Sequence, residues 1–182
     1  MTESTAFWTV SNNFVMGNGS NLPWEQSERV VSLFREIAKG KILIYGSTTA
    51  ISGVLRKSLN ESEFSEEDAP IHIALSSTPE KIPKDYVPMG GHPLDILAEI
   101  ANKYPGKGIV FVGGMNIISQ FLGYCHNFYI NVLDMNAQGT LVFTGALFDY
   151  LRRTSAIISK NVIPEIPTYP QIEMYHFKRS IH

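Results

Sequence analysis

The chain has 182 residues, 44% of them apolar and 18% charged, with 15 Lys and Arg against 17 Asp and Glu for a formal net charge of −2. That length fits one domain spanning residues 1–182 with a full core, and the charge balance gives no electrostatic reason to expect nucleic acid as a partner. The single cysteine, Cys125, excludes an intramolecular disulfide framework and a cysteine-rich zinc site, and suits a reducing compartment.

Ala6 to Ser11 reads as a first strand. Next comes Met16-Gly17-Asn18-Gly19-Ser20-Asn21-Leu22-Pro23-Trp24, with the composition of a mobile loop whose backbone can approach a ligand closely. Leu22 and Trp24 give it an apolar underside, and a surface turn pinned by one buried tryptophan accounts for the same residues. Ser27 to Lys39 predicts a helix with Val30, Val31, Phe34 and Ile37 on one face. Lys41-Ile42-Leu43-Ile44-Tyr45 is a short, almost wholly apolar run of the kind buried on both faces of a sheet. It closes on Gly46-Ser47-Thr48-Thr49, entering a helix. There the hydroxyls suit either phosphate binding by a helix start or an ordinary N-cap.

Asn60 to Asp68 holds five carboxylates and no base, which predicts a solvated loop. Ile71 to Leu75 and Gly108 to Val112 repeat the buried-strand pattern, ending in Ser76-Ser77 and Gly113-Gly114. A helix between them carries Leu94, Leu97, Ala98 and Ala101 on one face, and Ile117, Ile118, Phe121 and Leu122 form another stripe after Gly114. Alternating strands and helices predict a parallel sheet with crossover helices, and such sheets bind ligands at the carboxyl ends of their strands. In the last third, Asn127–Leu133, Thr154–Asn161 and Ile172–Arg179 read as strands with little helix between them, the last two as an antiparallel edge pair. Pro164, Pro167 and Pro170 predict a stiff connection before the final strand.

Several chemistries find no support. No apolar run approaches the ~20 residues that span a bilayer. Met1 to Thr5 lacks the basic-then-apolar pattern of a secretory leader. A cytoplasmic protein without a membrane partner is therefore expected. His72, in an apolar strand, reads as a core or edge histidine, and His92, His126, His176 and His182 show no metal-ligand spacing, so no metal site is expected. Cys125 reads as a plain buried thiol. No serine sits in a nucleophile-elbow motif.

The order of these pieces resembles the dihydrofolate reductase family over nearly the whole chain. Met16-Gly17 through Leu22-Pro23-Trp24 is similar to that family's active-site loop, and Phe34 falls where a phenylalanine lines the pterin pocket. Gly46-Ser47-Thr48-Thr49 resembles its Gly-basic-X-Thr cofactor turn, and Leu75-Ser76-Ser77 the strand end flanking the adenosine ribose. Val112-Gly113-Gly114 through Ile118 resembles its Val-Gly-Gly-X-X-X-Tyr loop.

The resemblance implies an α/β fold: a mostly parallel eight-stranded sheet with flanking helices and an antiparallel C-terminal edge hairpin. It implies hydride transfer from NADPH, or NADH, to a C=N bond of dihydrofolate or another pterin-like heterocycle. Thr9, Leu22, Val30, Phe34 and Ile118 would line the substrate site, with Trp24 and Glu28 as candidates on the catalytic side. Gly17, Asn18, Ser20, Gly46 to Thr49, Leu75 to Ser77, Gly113, Gly114, Met115, Asn116 and Ile117 would flank the cofactor.

The departures bear on the substrate. The family carries a carboxylate four residues before the Phe34 position, where this chain has Val30, which neither accepts hydrogen bonds nor organises a proton path. Glu28, two positions earlier, is turned about 200° away on a helix. Pro70 stands where the family places the arginine for the folate glutamate. Ser47 and Ser77 replace bases near the cofactor 2′-phosphate, and Ile118 replaces a tyrosine near the nicotinamide. A binding protein without turnover on the same fold, and a reductase resembling those of flavin biosynthesis, are the alternatives. The sequence carries no indication of oligomeric state.

Overall fold

In chain order the secondary structure runs β1 (Ser4–Ser11), β2 (Val15–Gly17), α1 (Glu28–Ala38), β3 (Ile42–Gly46), α2 (Ser47–Ser52), α3 (Val54–Leu59), β4 (Ile71–Leu75) and β5 (Val87–Met89). It continues through α4 (Pro93–Lys103), β6 (Ile109–Phe111), α5 (Met115–Phe121), β7 (Asn127–Leu133), β8 (Leu141–Val142), α6 (Gly145–Thr154), β9 (Ser155–Ile163) and β10 (Ile172–Arg179). The structure is a computed structural model that describes residues 3–143 and 145–180. The reading of Met1 and Thr2 as part of a non-leader start, and that of His182, lie outside the described residues.

Eight strands form one sheet in the order β5-β4-β3-β6-β1-β7-β10-β9. All neighbours are parallel except β10, which runs antiparallel to both β7 and β9, so the edge hairpin expected at the C-terminus is present. Both faces of the central strands are covered, which is why their sequences are apolar at successive positions. Alternation along the strands sorts the core. Ile42, Ile44, Ala6, Trp8, Val10 and Phe111 face α4, α5 and α6, and Leu43, Tyr45, Phe7, Val110 and Val112 face α1 and α3. Among the described residues no helix is long and apolar enough to cross a membrane.

Three sequence expectations change. α4 does not bury Leu94, Ala98 and Ala101; Leu94 is 53% exposed, and the helix seats Ile96 and Ile100 in the core instead. The two isoleucines, one turn apart, bring more apolar area than the alanines. The segment before β9 is not free of helix: α6 buries Phe148 and Leu151, with Phe148 edge-on to Tyr175 and Phe177 at 5.9 Å. The acidic stretch at residues 60–68 is not simply solvated. Arg56 pairs with Glu61, Arg35 with Glu63 at 3.3 Å, and Lys39 with Asp68 at 3.0 Å.

That stretch also closes over a buried polar group. The His72 Nδ1 lies 3.0 Å from the Tyr45 hydroxyl, and its Nε2 lies 3.0 Å from Glu61 Oε1. Tyr86 packs edge-on against both rings, and Arg56 bridges Glu61 and Asp85. Burial, reinforced by the Arg56 guanidinium, pushes the His72 pKa down to about 4, against the opposing pull of Glu61 and Asp85. The folded protein thus keeps this ring neutral where the unfolded chain, titrating near 6.5, takes up a proton. Stability is fully present above about 6.5 and falls as pH drops towards 4, by up to roughly 3 kcal/mol. Denaturant unfolding between those limits checks this: His72→Gln is expected to flatten the decline, and parallel curves for the two proteins would contradict it.

Candidate active site

The carboxyl ends of β1, β3, β4 and β6 open into a cleft of about 840 Å³. β3 and β6 form its floor. The Gly46 amide donates to the Gly113 carbonyl at 3.1 Å, and a Cβ on Gly46 would sit 3.3 Å from Ile117 Cγ1. Gly113 has φ of +119°, a conformation that only glycine adopts without strain, and it turns the chain from β6 into α5. α2 and α5 both begin at the cleft, N-capped by Gly46 and Gly114 with no side-chain cap. The cap alternative for Ser47, Thr48 and Thr49 is therefore not realised. They form the first turn of α2 and line the cleft with their neighbours Leu75, Ser76 and Ser77.

The other wall is aromatic. Phe7 of β1 stacks on Phe34 of α1 with ring centroids 5.0 Å apart, and Val30 and Val31 continue the α1 face. Above them the stretch at residues 16–24 is folded into a defined arch rather than a free loop. β2 pairs with β8, Asn18 and Asn21 exchange backbone hydrogen bonds of 2.9 and 3.1 Å, and the Gly19 amide donates to Thr140 Oγ1 at 3.0 Å. This arch carries Gly17, Ser20, Leu22 and Trp24 to the cleft. The Tyr169 hydroxyl donates to the Glu25 carbonyl at 2.7 Å, tying the proline-rich connection to the end of the arch.

The cleft thus gathers most of the residues singled out from sequence: Thr9, Gly17, Ser20, Leu22, Trp24, Val30 and Phe34. It also gathers the two strand-end turns, with Met115, Asn116 and Ile117 at the start of α5. Three others it does not gather. Ile118 is buried in the core at 1% exposure, pointing away on α5; Glu28 is exposed on the first turn of α1; and Asn18 is turned out on the arch. Cys125 is also remote from the cleft, its thiol donating to Phe121 O and pushed up to about 12 by burial.

Sequence reasoning missed Gln26, Ser27, Gly90, Gly91, Leu141 and Tyr169, which also line the cleft. Only Gly90 had a readable cause, and only once folded: a Cβ there would fall 2.8 Å from the Ser76 carbonyl. Gln26 and Ser27 follow closely on Trp24 and Gly91 on Gly90, whereas Leu141 and Tyr169 arrive from distant parts of the chain. Among the described residues, no Asp, Glu, Lys, Arg or His lines this cleft. The polar part of this described lining consists of hydroxyls, side-chain amides and backbone groups, which are neutral donors and acceptors.

A sequence model of the family described as dihydrofolate reductase matches residues 4–155. Among solved structures, dihydrofolate reductase from Enterococcus faecalis complexed with NADP(H) and RAB-propyl aligns with a TM-score of 0.75 at 15% identity, covering 98% of this chain and 97% of that one. At that identity the likeness is one of fold. No protein of curated function matches the sequence.

Phe34 is 3% exposed and supports the Phe7 ring and the cleft wall together. Phe34→Ala is expected to lower unfolding stability by about 3–5 kcal/mol, measured by denaturant titration; a loss under about 1 kcal/mol would mean the stack is not a structural wall.

Proposed function

This chain belongs to the dihydrofolate reductase family, and we propose that it is an NADPH-dependent reductase acting on a C=N bond of dihydrofolate or, better matched, of an untailed pterin-like heterocycle. The carrying observation is a cleft at the strand ends that pairs an aromatic wall with neutral hydrogen-bonding groups and, among the described residues, has no Asp, Glu, Lys, Arg or His in its lining.

The residues fit a reduced dinucleotide. The Gly46–Gly113 approach leaves backbone open where side chains would intrude, and the uncapped starts of α2 and α5 offer amides to phosphate oxygens. Ser47, Thr48 and Thr49 add hydroxyls on one side, and Ser76 and Ser77 on the ribose side. With no base at either place the 2′-phosphate gains hydrogen bonds without a Coulomb contribution, so NADH is a feasible substitute. When bound, the nicotinamide supplies the hydride, and with a proton from the medium the C=N bond becomes CH–NH. Phe34, Val30, Leu22 and Trp24 hold the heterocycle and exclude water. None of them moves a proton, and Glu28, exposed outside the cleft, does not supply one.

The same lack of an acid favours a second reading, a binding protein without turnover. The flavin-biosynthesis alternative is the weaker one, because Leu22 and Trp24 build part of the cleft. Following NADPH and NADH absorbance with dihydrofolate, dihydrobiopterin and a ribityl-aminopyrimidine tests the proposal. Oxidation is expected, fastest with dihydrobiopterin, and Val30→Asp is expected to raise dihydrofolate reduction by about tenfold or more. Cofactor binding with no oxidation of any of them would establish the binding protein instead.

A further inference from the structure

Asn131 of β7 lies directly across from Thr9 of β1 and is 0% exposed. Its Nδ2 is 3.3 Å from Thr9 Oγ1 and 3.5 Å from the Trp8 backbone carbonyl. A carbonyl only accepts, so the nitrogen rather than the oxygen of this amide faces the pair. Asn131 therefore donates to Thr9, which occupies a lone pair of the hydroxyl. Among the described residues the Thr9 O–H itself meets no acceptor. The other end of the amide, Oδ1, is buried with no partner. An unpaired buried acceptor is destabilising where an apolar side chain would pack without penalty. What the asparagine does in return is hold Thr9.

Thr9 lines the cleft. Two residues along β1 from Phe7, it shares the face on which Phe7 stacks against Phe34. It is thus a hydroxyl whose acceptor side is engaged from behind and whose proton is free for the cleft.

We propose that Thr9 is the specificity-determining hydrogen-bond donor of this cleft, with Asn131 as its positioning residue, and that the substrate is a neutral heterocycle presenting a ring carbonyl to it. This rests on the reading of the cleft as a site for a pterin-like ring. A protonated, amino-rich ring finds no counter-charge there, because no carboxylate lines the cleft among the described residues. A ring that carries a carbonyl finds a donor already oriented.

Calorimetric titration of the whole protein, with and without NADP+, tests this using 2-amino-4-oxopteridine and 2,4-diaminopteridine, which exchange a carbonyl acceptor for an amino donor on one frame. The wild type is expected to bind the oxo compound about tenfold more tightly. Thr9→Val is expected to abolish that preference, Thr9→Ser to keep it, and Asn131→Leu to reduce it part-way, with melting temperature followed in each. A merely structural Thr9 would weaken both ligands alike and leave the preference standing. Equal binding or a diamino preference in the wild type, or a preference that survives Thr9→Val, would overturn the proposal. Should Asn131→Leu fail to fold, Thr9→Val, nearly isosteric and suited to a strand, decides alone. If neither pteridine binds the wild type, the reading of the cleft falls and this proposal with it; binding without the Thr9 effect overturns the proposal only.

Discussion

The hydrogen bond from the Gly46 amide to the Gly113 carbonyl, at 3.1 Å, fixes how β3 and β6 part at their carboxyl ends. Neither residue has a side chain, so the two turns lie close enough for α2 and α5 to start side by side. Their first amides, with Ser47 to Thr49, then line one space. A Cβ at Gly46 would lie 3.3 Å from Ile117 Cγ1, so the Ile117 side chain would have to give way for it. The remaining walls, Phe7 and Phe34 on one side and the arch carrying Leu22 and Trp24 above, enclose a volume that this contact opens.

What fills that volume is governed by the absence of ionised side chains among its described lining residues. In a partly enclosed apolar site a fixed charge would dominate both affinity and selectivity. Here discrimination falls to hydrogen-bond direction, as at the Thr9 hydroxyl, and to the shape of the aromatic wall. The charged groups of this half of the sheet are placed elsewhere. Arg56, Glu61 and Asp85 gather over His72 and the Tyr45 and Tyr86 rings, where they shield a buried polar contact at the far side of β4.

Much of this frame was legible in the sequence because its strands are buried on both faces. Ile42 to Tyr45, Ile71 to Leu75 and Asn127 to Leu133 are continuous enough to announce themselves, and the turns at Gly46 and Gly113 follow from where those runs stop. α6 was hidden because Phe148 and Leu151 alternate with Asp149, Arg152 and Arg153, beside a run that reads more strongly as strand. β2 and β8 are too short to carry a period, and they pair residues 15–17 with 141–142, a contact no local pattern contains. In the site, position along the chain placed Phe34 and Val30 but not Ile118, whose helix rotation turns it into the core. Tyr169 and Gly90 reach the cleft only through tertiary packing. Asn131 sits inside an apolar strand, as His72 does, but nothing local in the sequence ties it to Thr9 across the sheet.

The proposed cofactor and substrate site works through neutral groups. The most direct measurement is the dissociation constant of NADPH, with NADH beside it, as salt rises from roughly 0.05 to 0.5 M. Binding by hydroxyls and backbone amides predicts constants that change less than about twofold over that range and differ little between the two dinucleotides. A steep weakening of NADPH with salt, with NADH unaffected, would reveal a cationic grip on the 2′-phosphate and contradict it.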